Sequence, residues 1–95
     1  MQRAYYVYIM TNKPYGVLYV GVTSDIVNRA SQHGQGLVDG FTKKYRLHKL
    51  VYYEVYDNPY DAIQREKRLK EWHRAWKIEL IQRENPDWKD LSDEF

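Results

Sequence analysis

Apolar and aromatic residues along the chain fall into three short runs and three longer, helically spaced stretches, and each predicts an element. Residues 4–10 and 17–22 are rich in Tyr, Val and Ile, the β-branched and aromatic types that suit a pleated surface. Between them Asn12, Lys13, Pro14, Tyr15 and Gly16 supply turn chemistry, which predicts a hairpin. Residues 50–56 make a third strand. Thr23, Ser24 and Asp25 form an N-cap cluster, so a helix is expected to about His33, ended by Gly34, Gln35 and Gly36. Residues 34–48 are glycine-rich and basic and read as a loop with room for a helical turn. Asp57, Asn58 and Pro59 stop the third strand and start a helix to about Glu71. A further helix is expected from His73 to Gln82, ended by Asn85 and Pro86. The order β-β-α-β-α-α is that of an α+β fold, a small sheet with helices against it.

Side-chain alternation then sorts the strand residues by face. On the first strand Tyr6, Tyr8 and Met10 share one face and Tyr5, Val7 and Ile9 the other; on the second, Val17, Tyr19 and Gly21 lie opposite Leu18, Val20 and Val22. The Val, Ile and Leu faces are the natural core, which leaves Tyr8 and Tyr19 together on the far side. A four-residue loop pairing Thr11 with Gly16 sets the two tyrosines directly opposite, with Gly21 leaving a gap beside them. Such a gap suits a ligand; a purely structural cross-strand pair is the alternative. On the first helix Arg29 and His33 stand one turn apart at the border of the Ile26 and Ala30 stripe. An arginine there calls for a carboxylate or a phosphate, while His33 also suits a helix C-terminus. Glu66 follows Ala62 and Ile63 by one turn and precedes Leu69 by three residues, in the middle of an apolar stripe. Carboxylates seldom point inward unless paired or coordinating a cation. Either Glu66 holds a hard metal, Mg²⁺ or Mn²⁺, or it pairs with Arg29.

Ninety-five residues suffice for one domain, 1–95, of which about 86–95 is an acidic tail. Trp88 and Leu91 are expected to dock that tail, with the last residues mobile. Ten Tyr and three Trp stand against two Phe, a balance that favours half-wet surfaces as well as core edges. With no cysteine, disulfides and thiolate metal sites are excluded. The opening residues show no signal-peptide pattern and no apolar run reaches membrane-spanning length, so a cytoplasmic protein is expected. Charge is unevenly spread: residues 1–50 carry seven Lys/Arg against two acids, and residues 51–95 eight against eleven. Lys43, Lys44, Arg46 and Lys49, interleaved with Phe41 and Tyr45, form a candidate phosphate-tracking surface, or else a solvated basic loop.

The same residues carry a family resemblance. Tyr6-Val7-Tyr8, a stretch of strand and turn, then Tyr19-Val20-Gly21 resembles the paired motif of the GIY-YIG nucleases. Arg29, His33 and Glu66 fall at spacings similar to the family's arginine, histidine and metal-binding glutamate. The segment Asn85-Pro86-Asp87-Trp88 after a Trp-rich helix resembles the short standalone bacterial members. The resemblance implies a three-stranded antiparallel sheet flanked by helices and a DNA endonuclease, structure-selective in repair or recombination, using one Mg²⁺ or Mn²⁺ ion. It implies that Glu66 holds the metal, that Arg29 meets the scissile phosphate, and that Tyr8 or Tyr19 takes a proton from water with help from His33 or Lys43. Asn85 is a further candidate for phosphate contact. DNA is the expected partner, with RNA and a non-catalytic nucleic-acid-binding module as open alternatives, for a monomer or weak homodimer. One departure stands out: the motif's leading glycine is Tyr6 here, expected to narrow the approach on that face.

Overall fold

The structure, a computed structural model, describes residues 3–35 and 40–95. Strand β1 (Tyr5–Thr11) lies at the centre of an antiparallel sheet, flanked by β2 (Leu18–Thr23) and β3 (Lys49–Tyr56) in the order β2-β1-β3. Helix α1 (Ile26–Gly34) follows β2, and a four-residue helical turn, α2 (Phe41–Lys44), precedes β3. Helices α3 (Pro59–Glu71) and α4 (Arg74–Glu84) follow, then a 3-10 turn over Leu91–Glu94. The expected α+β order holds, and the loop's spare helical turn is α2. Gly36, expected to help end α1, and the Phe41 side chain lie outside what is described.

Local chemistry explains the boundaries. Asp25 caps α1 through a hydrogen bond from Asn28 N–H at 3.1 Å, and Asn58 caps α3 by accepting from Asp61 N–H at 2.9 Å with Pro59 at the first helical position. The hairpin differs from expectation: Thr11 pairs with Leu18, and Tyr8 with Gly21, so the loop spans six residues. Its reason is polar. Asn12 Oδ1 accepts from Val17 N–H at 3.0 Å and Lys13 carbonyl accepts from Gly16 N–H at 2.9 Å, closing a wider turn. A Cβ at Gly16 would lie on Asn12 Oδ1, so only glycine permits this closure.

Both faces of β1 are buried. One carries Val7 and Ile9 with Val20, Val51, Ala62, Leu69, Leu80, Ile81 and Trp88; the other carries Tyr8 and Met10 with Ile26, Leu47 and Leu50. Helices therefore cover the sheet on two sides, and the tyrosine face is as much core as the aliphatic one. On α3, Ala62 and Leu69 are buried and Ile63 is largely exposed, so the stripe is narrower than expected, yet Glu66 stays within it at 15% side-chain exposure. Between Ile9 and Met10 the β1–β3 register shifts by one residue at Val51, a β-bulge. Asn85 Nδ2 donates to the Val51 carbonyl at 3.1 Å and to the Lys89 carbonyl at 2.9 Å, while its Oδ1 accepts from Lys89 N–H at 3.0 Å. Asn85 is thus a buried brace for the bulge and the chain after α4, its amide committed to backbone.

The tail is packed to its end. Trp88 is buried, and Asp90 accepts from Leu50 N–H at 3.2 Å. Phe95 meets Tyr53 edge-on at 5.0 Å between centroids and Tyr6 at 5.9 Å. The last residues, expected to be mobile, find an aromatic seat. Tyr6 supplies part of it, which a glycine at that position would not.

Candidate active site

Five side chains separated by up to 58 positions converge beside the hairpin. Tyr8 is buried, with ring centroids 6.3 Å from Tyr19 and 5.8 Å from His33; Tyr19 and His33 are 6.0 Å apart. Because Tyr8 faces Gly21 and Tyr19 faces Met10, the tyrosines are diagonal neighbours, not the direct pair expected. The Gly21 gap is likewise filled: a Cβ there would lie 2.5 Å from Tyr8 Cζ and Oη, so the missing side chain makes room for the Tyr8 ring. Tyr19 is the more exposed of the two.

His33, on the last turn of α1, is almost wholly buried, and its Nε2 lies 3.4 Å from Tyr8 Oη. Burial first, and then the Arg29 charge, hold its pKa below the ordinary 6.5, while the Leu47 backbone opposes them. Nδ1 is buried and has no hydrogen-bond partner at full geometry among the described residues. The ring is neutral at pH 7. The Tyr8 phenol is pushed well above 10 by burial and by Tyr19, with Glu66 adding to the rise and Arg29 opposing it. Those influences put Arg29 and Glu66 within electrostatic reach of one hydroxyl.

Arg29 is half-buried and forms no ion pair among the described residues. The Arg29–Glu66 pair, open on periodicity, is not made; Glu66 instead meets Lys70 at 3.4 Å, and Lys70 is half-exposed. A guanidinium beside two phenols and a neutral imidazole, without a carboxylate, is arranged to receive an anion. Among the described residues no three His, Asp or Glu side chains cluster as metal ligands. Glu66 alone fits a hard cation that keeps most of its waters and takes further oxygens from a substrate, since Lys70 is free to swing aside.

The basic segment reaches the site through Leu47, whose side chain is buried with Tyr8 and whose backbone approaches His33. Lys43, Lys44 and Arg46 are exposed, Arg46 at a left-handed φ of 56°. Lys49 is half-buried opposite Thr11.

Two features escaped the sequence reading. Arg65 grips Glu54 bidentately, Nε to Oε1 at 3.0 Å and Nη2 to Oε2 at 3.0 Å, with Tyr52 and Tyr56 hydroxyls donating to the same carboxylate. Strand alternation places Tyr52, Glu54 and Tyr56 on one face, a usable signal; the approach of Arg65 carried none. Arg74 Nη2 donates to the carbonyls of Tyr15 and Gly16 at 2.5 and 2.6 Å, tying α4 to the hairpin tip.

Comparison with known proteins decides the relationship. Residues 4–79 match the GIY-YIG catalytic domain. The chain belongs to the GIY-YIG family. Within that nuclease family it is 38% identical over 77 residues to a UPF0213 protein of Staphylococcus saprophyticus, covering 81% of this chain and 93% of the relative. It is 35% identical over 66 residues to a UPF0213 protein of Pediococcus pentosaceus, 70% of each. The solution NMR structure of a UPF0213 protein from Bacillus halodurans is similar at a TM-score of 0.58 and 25% identity, over 93% of both chains. The matched span includes Tyr8 and Tyr19, expected from the sequence to be the motif tyrosines, and Gly21, on which Tyr8 rests. No helix among the described residues is long and apolar enough to cross a membrane.

Proposed function

We propose that this GIY-YIG domain, one unit across residues 1–95, is a divalent-metal-dependent endonuclease that hydrolyses DNA phosphodiester bonds, structure-selective and suited to repair or recombination substrates. One observation carries the reading: Arg29 stands without a carboxylate partner among the described residues, beside Tyr8, Tyr19 and His33 and within reach of Glu66. Arg29 receives the scissile phosphate and offsets the charge that builds on it. Tyr19, the more exposed phenol, orients the phosphate or the attacking water.

Tyr8 is a poor base by itself because its pKa is raised. Its contact with a neutral His33 supplies a route. The Tyr8 oxygen accepts the water's proton as Nε2 of His33 takes the phenol's own, leaving tyrosine neutral and histidine protonated. Glu66 would hold Mg²⁺ or Mn²⁺, which when bound stabilises charge on the phosphate and on the leaving oxygen. Lys43, Lys44, Arg46 and Lys49 guide the flanking backbone.

The test is cleavage of labelled single-stranded, duplex and forked DNA, and matching RNA, with Mg²⁺, Mn²⁺ or EDTA, comparing wild type with Glu66→Ala. Metal-dependent cutting that disappears in the variant is expected. Binding without cutting under every metal would replace the enzyme by a nucleic-acid-binding module.

A further inference from the structure

The β1–β2 hairpin admits two registers that bury the same side chains. In the structure Thr11 pairs with Leu18 and Tyr8 with Gly21, around a six-residue loop. A four-residue loop, which the turn residues also allow, pairs Thr11 with Gly16 and Tyr8 with Tyr19. The two differ by a two-residue slip of β2. Side chains alternate with a period of two, so the slip leaves Tyr19 and Gly21 on the Tyr8 face and Val20 on the aliphatic face. Apolar burial therefore separates the registers only weakly, and a contact outside the strands must choose.

The candidate site needs the observed register. Opposite Gly21 the Tyr8 ring lies on bare backbone, where a Cβ would come within 2.5 Å of Cζ and Oη, and its hydroxyl is 3.4 Å from His33 Nε2. After the slip Gly21 would face Tyr6, and Tyr8 would meet the Tyr19 side chain in place of that space. The choice is made at the hairpin tip. Tyr15 takes a left-handed φ of 59°, and the Tyr15 and Gly16 carbonyls converge on Arg74, whose Nη2 donates to both, at 2.5 and 2.6 Å. Arg74 opens α4 and forms no ion pair among the described residues. The Tyr15 ring leans on Trp88 at 5.1 Å, and its hydroxyl accepts from Gln82.

Convergence of those two carbonyls requires the six-residue loop. In the slipped register Gly16 would be a strand residue facing Thr11. The carbonyls on either side of an extended residue point opposite ways, so those of Tyr15 and Gly16 would diverge and one guanidinium nitrogen could not hold both. A group shifts an equilibrium by the difference in its affinity for the two states. We propose that Arg74 is a positioning residue, which by clasping the Tyr15 and Gly16 carbonyls selects the register that sets Tyr8 on Gly21 and Tyr19 one diagonal away. Its consequence for catalysis rests on the nuclease reading; its control of the register does not.

The test reads the register by NMR on the full chain without metal. Wild type should show cross-strand contacts of Tyr8 with Gly21. Arg74→Ala should raise the slipped population, in which Tyr8 meets Tyr19, about tenfold, seen as exchange in the amide signals of residues 12–23. Arg74→Lys, whose ammonium carries donors for both carbonyls, should restore most of the wild-type behaviour. Unaltered far-UV circular dichroism is expected for both, since Arg74 is exposed. The proposal is overturned if Arg74→Ala keeps a single register with wild-type exchange. It is also overturned if the disturbance is confined to the first turn of α4, which would make Arg74 a helix anchor. Cleavage with Mg²⁺ then ties register to reaction. Turnover of Arg74→Ala at saturating DNA should fall by the slipped fraction that NMR measures, with KM unchanged. Full turnover despite a shifted register overturns the positioning role. If wild type never cuts, the nuclease reading fails and the register result stands by itself.

Discussion

Two clusters in this molecule are built from nearly the same parts and do opposite things. One holds Tyr52, Tyr56, Arg65 and Glu54; the other holds Tyr8, Tyr19, Arg29 and Glu66, with His33 added. In the first, arginine and glutamate meet in a bidentate pair, both phenols donate to the carboxylate, and Arg65 also lies over Trp72 at 5.0 Å. Burial alone would raise Glu54, but the hydrogen bonds from Arg65, Tyr52 and Tyr56 together outweigh it and hold the carboxyl below its ordinary value. The same carboxylate, after burial, helps push the Tyr56 phenol up to about 12. Every charge there has its partner. In the second cluster arginine and glutamate stay apart, and each is left with capacity to spare. A satisfied network locks α3 onto β3; the unsatisfied one is where we propose that a phosphate and a cation bind.

If that contrast is right, equivalent substitutions should separate activity from stability. The largest effect is expected at Arg29 and Glu66, where alanine should cut the rate of DNA cleavage by about 10³-fold. Melting temperatures should stay within a few degrees, because among the described residues the only ion pair lost is that of Glu66 with the half-exposed Lys70. Strong destabilisation of Arg29→Ala would show that Arg29 has a structural partner after all.

Glu54→Ala is the mirror experiment. It leaves Arg65 and two phenols unsatisfied and should cost about 3 kcal/mol, roughly 15 °C in a calorimetric scan for a domain of this size. Cleavage per folded molecule should be retained. The pH dependence carries a sign. A carboxyl whose folded value lies below 4.5 contributes stability above pH 4.5, and that contribution fades as pH falls through the folded value. Glu54→Gln should therefore flatten the acid limb of an unfolding curve below pH 4.5.

Gly21→Ala pushes on the Tyr8 ring, which is confined by Tyr19 and His33, and should cost about 1–2 kcal/mol with a rate loss of about tenfold or more. Full activity in this variant would mean that Tyr8 moves freely. The pH–rate profile is subtler. His33 must be neutral to take the Tyr8 proton, and its folded value is below 6.5, so the rate should hold above pH 6.5 and fall as pH drops through that lower value. His33→Asn should be slower and lose that limb. Smallest of all, Lys70→Ala removes the competitor for Glu66 and should tighten Mn²⁺ binding a few-fold by titration calorimetry.

How much of this could be read along the chain varies by residue. Alternation and turn chemistry located all three strands, and capping residues located α1 and α3, because those signals act over a few positions. Glu66 was legible because a carboxylate in an apolar stripe contradicts its own surroundings. Tyr8, Tyr19, Arg29 and His33 were legible only as a spaced set. The hairpin register was not, since it turns on whether Asn12 spends its side chain on Val17. The sequence by itself determined the elements, the family and a set of candidate residues. Only the tertiary structure decided which arginine met which glutamate. Arg65 and Arg29 are chemically identical, and pairing depends on distances across elements that no local signal encodes. Packing brought Arg65 onto Glu54 and kept Arg29 from Glu66, which made one cluster a brace and the other a candidate site.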